Sequence, residues 1–352
     1  MYDTGNKQAV RPVRSGDLNS AANRHPPHTR SLTYMSTRHV RLRSLAKINL
    51  DLRVLHKRPD GYHELRTIFQ TVSLADTIEI DFIPRRTTQV RLDSDLDIPG
   101  NLILRAAHAY LEAAQATGHI RFRLEKKIPM GGGLGGGSSN AATVLLALPV
   151  LAGKPLSPSQ LQEIAGELGS DVPFFLHGGT ALGLGRGDEL YPLPEIASRP
   201  AILVAPGLHV STPEAFRALN RELTQVTPSR NTSEFQSVAW KLGEQRTSFN
   251  WNVANDFETA VFREHPQLQS IKRQLKKLGA SPALMSGSGS TIFGIFQKAV
   301  SREAAIAALR GKYDTVLPVS LISRSRYRAM WWRQLQDHMG NKAWPPQSRY
   351  SR

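Results

Sequence analysis

Six glycines stand within seven positions of the segment PMGGGLGGGSSNAA, residues 129–142, and this glycine loop is the part of the chain best suited to chemistry. Residues without a Cβ adopt backbone conformations that other residues avoid, so such a loop can turn several N–H groups toward one point. A strand-like segment precedes it, and the apolar helix that follows adds free N–H groups and the positive end of its dipole. The pattern predicts a binding site for a chain of phosphates.

Three other interpretations of the glycine loop compete with a phosphate site. A flexible linker is one, although linkers are not expected between a strand and a strongly apolar helix. A Walker loop is excluded because it requires a Lys before Ser or Thr, and the loop has none. Gly131, Gly133 and Gly136 satisfy G-x-G-x-x-G, but a dinucleotide site also needs a second strand ending in an acidic residue about 20 positions on. That stretch here is Leu156-Ser157-Pro158, which runs into a helix.

The hydroxyl groups of Ser138 and Ser139 follow the glycines at positions from which they could reach a phosphate oxygen or a bound Mg²⁺. We see no dedicated carboxylate cage for a metal, so phosphate and water would supply most ligands of the ion. The predicted nucleotide contacts of the loop are Pro129, Met130, Gly131, Gly132, Gly133, Leu134, Gly135, Gly136, Gly137, Ser138 and Ser139.

The elements that must position the glycine loop are predicted from apolar patterning. Residues 45–55 and 66–82 alternate apolar and polar side chains, as half-buried strands do, and a turn signal with Pro59 and Gly61 separates them. Strands and helices mix without strict alternation, which favours an α+β fold over a doubly wound parallel sheet. Further predicted elements are strands at 120–126 and 201–205, a hairpin at 284–296, helices at about 101–117, 137–151, 158–168, 213–223, 253–263 and 266–278, and a final helix–strand pair to about 323.

Four parts of the chain are predicted from composition and patterning. Residues 1–36 are rich in Pro, Ser, Asn and Arg and are expected to be a disordered lead, with Met35 a candidate for the natural start. A Pro-rich stretch near 190–200 separates an N-terminal domain (37–195), which carries the glycine loop, from a C-terminal domain (196–323). Residues 324–352 form a basic tail with little pattern, which we expect to be a poorly ordered end.

Composition excludes several classes of protein. The absence of cysteine removes disulfide scaffolds, thiolate zinc sites and cysteine nucleophiles, and fits a cytoplasmic location. The sequence has no run of about 18 apolar residues, so no membrane-spanning helix is predicted. The net charge is +16, of which residues 1–35 carry +3 and residues 324–352 carry +6, so the body keeps +7. A basic protein could bind nucleic acid, but an enzyme with polyanionic substrates would also be basic, so charge does not separate these functions.

Three motifs together resemble the galactose, homoserine, mevalonate and phosphomevalonate kinase (GHMP kinase) superfamily. The glycine loop is similar to its phosphate loop with a small insertion of glycine. Ala46–Leu50 (AKINL) and Leu284–Phe293 (LMSGSGSTIF) match its two other signatures, in the same order along the chain. The resemblance implies a two-domain α+β fold with the active site in the cleft between the domains, and transfer of phosphate from ATP to an alcohol.

Within the superfamily, RPDGYH (58–63) and GSDVPFF (169–175) are closer to the branch that phosphorylates 4-diphosphocytidyl-2-C-methyl-D-erythritol, on the non-mevalonate route to isoprenoid precursors. The ends of the chain have no counterpart in that branch, and Ser170 stands where Ala is more usual. The resemblance implies ATP with Mg²⁺ as cofactors and a small-molecule acceptor. We expect no membrane partner, do not favour nucleic acid, and expect a monomer or a loose homodimer.

The resemblance also implies roles for single residues. Asp171 corresponds to the family's general base, which takes the proton of the acceptor hydroxyl. Lys47 would lie opposite it, hold its carboxylate ionised and offset charge on the γ-phosphate. On the nucleotide side, Asn101 and Leu102 resemble the adenine pocket, with Lys126 or Lys127 near the base or the phosphates.

The resemblance further implies five residues that bind the acceptor. Tyr62 and Phe216 would stack on the two faces of its cytosine, and His63 would hydrogen-bond the edge of the base. Asn49 would lie near the sugar alcohol, and Thr212 would help to enclose the pocket. Simple core packing is the alternative for Phe216, which lies on an amphipathic helix.

Two other functions stay open from the sequence. One is a kinase of the same superfamily for another small alcohol, of the homoserine or mevalonate class, against which the segment DGYH argues. The other is a non-enzymatic protein of the same fold that binds nucleic acid through its basic ends.

Overall fold

The computed structural model describes residues 37–95, 98–220 and 253–339, and the predicted lead of residues 1–36 lies outside them. A first sheet has the strand order β3-β4-β2-β5-β6, with β1 paired to β2. All its pairs are antiparallel except β3 with β4. Its strands are β1 (Arg38–Lys57), β2 (His63–Pro84), β3 (Gln89–Ser94), β4 (Gly118–Glu125), β5 (Thr180–Leu184) and β6 (Glu189–Pro192).

Four helices accompany the first sheet: α1 (Leu102–Ala113), α2 (Gly136–Ala152), α3 (Pro158–Leu168) and α4 (Val172–His177). The N-termini of α1 and α3 are capped by polar residues of the types that favour this position. The Asn101 side chain accepts from the Ile103 N–H at the start of α1, and Ser157 with Gln160 forms a capping box at the start of α3. Helix α2 is buried along most of its length because it lies under the other helices and against β1.

A second, antiparallel sheet has the order β10-β7-β9-β8. The described residues therefore mix two sheets with helices, and the predicted α+β class is confirmed. The boundary predicted near residue 195 falls in the connection between β6 and β7 and stays a prediction. The elements of this half are β7 (Pro200–Ala205), α5 (Thr212–Asn220), α6 (Phe257–Glu264), α7 (Pro266–Lys277), β8 (Ala283–Met285), β9 (Ile292–Ile295), α8 (Ala299–Leu309) and β10 (Thr315–Ser320).

Strand β1 contributes to all three apolar clusters of the described chain. Its start packs with the helices of the first sheet through Leu42 and Leu45. Its middle, including Ile48, joins a cluster with β2, β7 and β9, and its end packs through Leu52 and Val54 with the helices of the second sheet. Because one strand joins both halves, side chains near its middle are held where the halves meet.

The expectation of a poorly ordered tail from residue 324 is wrong for its first half. Helix α9 (Arg324–Met339) packs back on α2 and β1. Its buried side chains recur every fourth residue, so they form one apolar stripe; they are Tyr327, Trp331, Leu335 and Met339. The Tyr327 hydroxyl donates to the Phe175 carbonyl at 2.6 Å, which fastens α9 to α4. Residues 340–352 lie outside the described residues.

No helix in the described ranges is long and apolar enough to cross a membrane.

Candidate active site

The glycine loop connects β4 to α2 and has the backbone that its sequence predicts. Gly131, Gly133 and Gly135 have φ values of 66°, 73° and 67°, the left-handed region that residues with a Cβ avoid. The N–H groups from Gly131 to Ser138 donate to no acceptor in the described part of the chain, whereas the Ser139 N–H donates to the Gly135 carbonyl. This run of free N–H groups at the start of α2 can bind an anion with several oxygens.

The turn 286–291, between β8 and β9, lies directly on the glycine loop. The Ser286 hydroxyl donates to the Gly133 carbonyl at 2.8 Å, and the Thr291 N–H to the Gly132 carbonyl at 3.4 Å. A Cβ on Gly133 would meet the Ser286 backbone, and one on Gly132 would lie 2.6 Å from Thr291 Oγ1. Two of the three motifs found in the sequence are therefore in contact, and the glycines are needed for that contact.

Lys47 and Asp171 lie beside the same loop. Lys47 Nζ is 3.2 Å from Asp171 Oδ2 and donates to Asn49 Oδ1 at 2.8 Å, while the Lys47 N–H donates to the Leu134 carbonyl at 3.0 Å. A Cβ on Gly135 would lie 3.2 Å from Lys47 Cε. The Lys47 side chain is buried and that of Asp171 is 30% exposed, so the carboxylate is paired with an ammonium but is still accessible from solvent.

One predicted contact of the loop is corrected by the structure. The Ser139 hydroxyl turns inward, donates to the Leu45 carbonyl at 2.6 Å and accepts from the Ser44 hydroxyl at 2.7 Å. Since its N–H is also used within the helix, neither group is free for a phosphate. Adjacent residues on a helix face different sides, which explains why half-buried Ser138 and buried Ser139 differ.

Two residues missed from the sequence hold the turn 286–291 in place. Asn255 Nδ2 donates to the carbonyls of Met285 and Gly287, both at 2.8 Å. Glu258 Oε1 accepts from the Met285 N–H at 2.8 Å. The segment N-D-F-E (255–258) does place polar side chains where a helix begins. That pattern predicts the start of a helix, but it does not predict a contact with residues 27 or more positions away.

A buried ion pair lies further along β1. Asp51 Oδ1 is 3.1 Å from Arg53 Nε and accepts from the Ala254 N–H at 2.8 Å. Burial raises the pKa of Asp51 to about 6, although the neighbouring Arg53 acts in the opposite direction. The Val54 N–H donates to Asp256 Oδ2 at 2.9 Å. These bonds tie β1 to the segment that leads into Asn255, and through it to the turn 286–291.

The residues predicted around the cytosine are arranged differently from the expectation. The rings of His63 and Phe216 stack on each other, with centroids 4.4 Å apart and planes 15° apart, and Phe257 meets Phe216 edge-on at 4.8 Å. One face of half-buried Phe216 is therefore covered by the buried ring of His63, because stacked rings hide more apolar surface together than apart. The alternative of core packing agrees with the contact of Phe216 with the second apolar cluster.

Tyr62 remains accessible, being 56% exposed, and the guanidinium of Arg186 lies 4.9 Å from its ring centroid. Thr212 Oγ1 lies 2.8 Å from Ser288 Oγ, so the start of α5 touches the turn 286–291. Asn49 Nδ2 donates to Thr67 Oγ1 at 2.8 Å while its oxygen accepts from Lys47. Asn49 is thus a buried positioning partner of Lys47.

On the predicted adenine side, Asn101 uses its side-chain oxygen to cap α1, and Leu102 Cδ1 lies 3.6 Å from the position of a Cβ on Gly137. A cavity of about 610 Å³ opens beside Asn101 and Leu104. Lys126 Nζ lies 2.6 Å from Asp76 and 2.7 Å from the position of a Cβ on Gly136. Lys127 instead pairs with Glu125 on the surface, so Lys126 is the lysine that adjoins the loop.

The donor set around the loop fits phosphates better than a bare metal ion. Within the described residues, no group of three or more His, Asp or Glu side chains could hold a metal. Buried Thr291 Oγ1, close to Gly132, and Asn140 Oδ1, in the first turn of α2, have no hydrogen-bond partner there. A phosphate chain on the free N–H groups could accept a hydrogen bond from the Thr291 hydroxyl, whereas the Asn140 oxygen, which only accepts, would need a different partner.

Comparison with known proteins gives consistent matches. The family models "GHMP kinases N terminal domain" and "GHMP kinases C terminal" match residues 101–179 and 240–315. A 4-diphosphocytidyl-2-C-methyl-D-erythritol kinase of Solibacter usitatus is 53% identical over 320 residues, 90% of this chain and 99% of the relative. One from Bacillus velezensis is 36% identical over 285 residues, 79% of this chain and 95% of the relative.

Solved structures agree with these matches. A crystal structure of 4-(cytidine 5'-diphospho)-2C-methyl-D-erythritol kinase has a TM-score of 0.67 and 36% identity, and the match covers 80% of this chain and 98% of that one. A homoserine kinase from Cytophaga hutchinsonii has a TM-score of 0.63 at 20% identity, over 84% of this chain and 97% of that one. At that identity the likeness to the homoserine kinase concerns the fold alone.

Proposed function

Because the chain belongs to the 4-diphosphocytidyl-2-C-methyl-D-erythritol kinases of the GHMP kinase family, we propose that it transfers the γ-phosphate of ATP to the 2-hydroxyl of 4-diphosphocytidyl-2-C-methyl-D-erythritol. The observation that carries this proposal is the Lys47–Asp171 pair, 3.2 Å apart, beside a loop of free N–H groups. Phosphoryl transfer needs little from a protein beyond positioning and stabilisation of negative charge, and both are available at this place.

In the proposed reaction, the loop N–H groups from Gly131 to Ser138 hold the phosphates of ATP. The Asp171 carboxylate accepts the proton of the acceptor hydroxyl. The hydroxyl oxygen attacks the γ-phosphorus at the same time, and the bond between the γ-phosphorus and the oxygen that bridges it to the β-phosphate breaks, so that ADP leaves. The Lys47 ammonium favours the ionised form of Asp171 and offsets charge on the transferring group. Mg²⁺ bound to the ATP phosphates would supply further charge neutralisation.

Recognition of the acceptor is proposed to involve Tyr62, His63, Phe216, Asn49 and Thr212. The exposed ring of Tyr62 is suited to stacking on a cytosine. Since His63 covers one face of Phe216, a base that stacks on that face must displace the imidazole, and we propose that the displaced imidazole bonds the base edge. Asn49 acts through Lys47, to which it is hydrogen-bonded.

Turnover of labelled ATP with the cytidyl acceptor, homoserine and mevalonate as separate acceptors tests the proposed function. We expect phosphorylation of the cytidyl acceptor alone. Asp171→Ala should abolish turnover and leave ADP affinity within a few-fold, because the loop amides are untouched. Asp93→Asn, which removes a surface carboxylate paired with Arg121, is the control. Normal turnover in Asp171→Ala would overturn the assignment of the base.

A nucleic-acid-binding function would instead require a salt-dependent shift of DNA mobility that survives loss of Lys47 and Asp171. Cytoplasmic location and a monomeric or loosely dimeric state belong to the same proposal. Fractionation of cells and sedimentation of the purified protein test them.

A further inference from the structure

The segment between β7 and α5 carries His209 to the edge of the glycine loop. The segment is anchored on both sides of this residue. The Ser290 hydroxyl donates to the Leu208 carbonyl at 2.5 Å, and Thr212 Oγ1 lies 2.8 Å from Ser288 Oγ. Both anchors belong to the turn 286–291, which is itself bonded to the loop. The backbone of His209 is therefore held in a set place relative to the loop N–H groups.

The imidazole of His209 occupies the space that a side chain on Gly131 would need. A Cβ on Gly131 would lie 2.7 Å from His209 Nδ1 and 3.2 Å from Cε1. The residue is exposed, and its ring makes no hydrogen bond or ion pair within residues 37–95, 98–220 and 253–339. A ring nitrogen is thus held beside the first free N–H groups of the loop and is available to a ligand.

Position along the loop decides which ligand atoms His209 could meet. Lys126 adjoins the other end of the loop, at Gly136, whereas His209 lies at Gly131 and its segment runs into α5 with Thr212 and Phe216. His209 therefore lies between the first N–H groups of the loop, which are proposed to bind nucleotide phosphates, and the segment that carries two of the residues proposed to bind the acceptor. An imidazole N–H donates readily to a phosphate oxygen.

We propose that His209 is a further phosphate-binding residue of the active site, donating a hydrogen bond to a phosphate of the nucleotide or to the diphosphate of the cytidyl acceptor. The identity of these ligands rests on the proposed function. The ability to bind a phosphate does not, because the free N–H groups and the imidazole without a hydrogen-bond partner are features of the described structure.

Equilibrium binding of ADP and of CDP, measured separately on His209→Ala and on the parent protein, tests the proposal. Hydrogen bonds to charged groups are among the stronger ones in proteins, so affinity for at least one of the two should fall by about tenfold or more. Loss for ADP assigns His209 to the nucleotide, and loss for CDP assigns it to the acceptor. In steady state the matching KM should rise while kcat stays within about twofold.

The control is His119→Ala. His119 lies at the start of β4, at the end of that strand away from the glycine loop, and its imidazole is hydrogen-bonded to Thr87, so its loss should change neither affinity. Thermal unfolding of both variants separates loss of folding from loss of binding. Affinities for ADP and CDP within twofold of the parent in folded His209→Ala would overturn the proposal. ADP binding is measured without turnover, so a parent protein that fails to phosphorylate the cytidyl acceptor would contradict the proposed function and still leave His209 tested.

Discussion

Replacing Gly133 by alanine tests whether the glycine loop must lie directly on the turn 286–291. A Cβ there would lie 2.8 Å from the Ser286 carbonyl carbon and closer still to its oxygen, so backbone rather than a flexible side chain would have to move. The φ of 73° costs a residue with a Cβ about 1–2 kcal/mol. Overpacking of a close contact costs about 1–3 kcal/mol more. We therefore expect the free energy of unfolding to fall by about 2–5 kcal/mol.

The same change should damage binding, because the displaced loop can no longer aim its N–H groups at one phosphate chain. Urea unfolding gives the free energy, and titration with ADP gives the affinity, which we expect to fall at least tenfold. Gly166→Ala is the matched control. Gly166 lies in α3 with an ordinary φ, and a Cβ there would meet nothing within 4 Å, so this variant should bind ADP normally and be about 0.5–1 kcal/mol more stable.

The outcome that contradicts this reasoning is a Gly133→Ala protein that unfolds at the same urea concentration as the parent and binds ADP equally well. Such a result would mean that the close approach of the turn 286–291 to the loop is not required.

Three further predictions concern different parts of the molecule. Tyr62→Ala should raise the KM of the cytidyl acceptor roughly 5- to 150-fold, since stacking contributes about 1–3 kcal/mol per base, and should hardly change that of ATP; equal losses on both would rule out stacking. The pKa of Asp51 is raised from 3.8 to about 6, so its ionised form costs stability above pH 6 and this cost is relieved as the pH falls toward 4. Relative to Asp51→Asn, the parent should therefore gain up to about 3 kcal/mol in urea unfolding between pH 7 and pH 4, and a constant difference would refute this. Trp331→Ala should destabilise by about 3–5 kcal/mol and Trp332→Ala, whose side chain is 44% exposed, by less than about 0.5 kcal/mol; similar losses in both would contradict the packing of α9.

Local features of the active site could be predicted from the sequence because they depend on local chemistry. Glycines that need a left-handed backbone and the alternation of residue types along β1 and β2 are properties of short segments. Residues 45–54 of β1 are buried on both faces, however, so the expectation of a half-buried strand is wrong there. The family resemblance also implied that Lys47 and Asp171 belong to one kinase site. Their distance from each other and from the loop came only from the structure.

What could not be predicted depends on contacts between distant segments. Nothing local distinguishes Ser138 from Ser139, yet only the second faces the Leu45 carbonyl. The stacking of His63 on Phe216 joins residues far apart in the chain. Helix α9 is a different case, because its apolar stripe could have been found in the sequence. Large apolar residues recur at helical spacing at positions 327, 331, 335 and 339, but the many arginines between them led us to expect no regular element there.

The hydrogen bond from Tyr327 to Phe175 has a consequence for the order in which the chain folds during its synthesis. Asp171 precedes the short helix α4, whose far end is fastened by a residue more than 150 positions later. A growing chain cannot fasten α4 in this way until α9 has left the ribosome, which happens after every strand of both sheets has been synthesised. The surroundings of Asp171 are therefore completed late, and a chain truncated after residue 320 would contain all the strands of both sheets but would hold α4 less firmly.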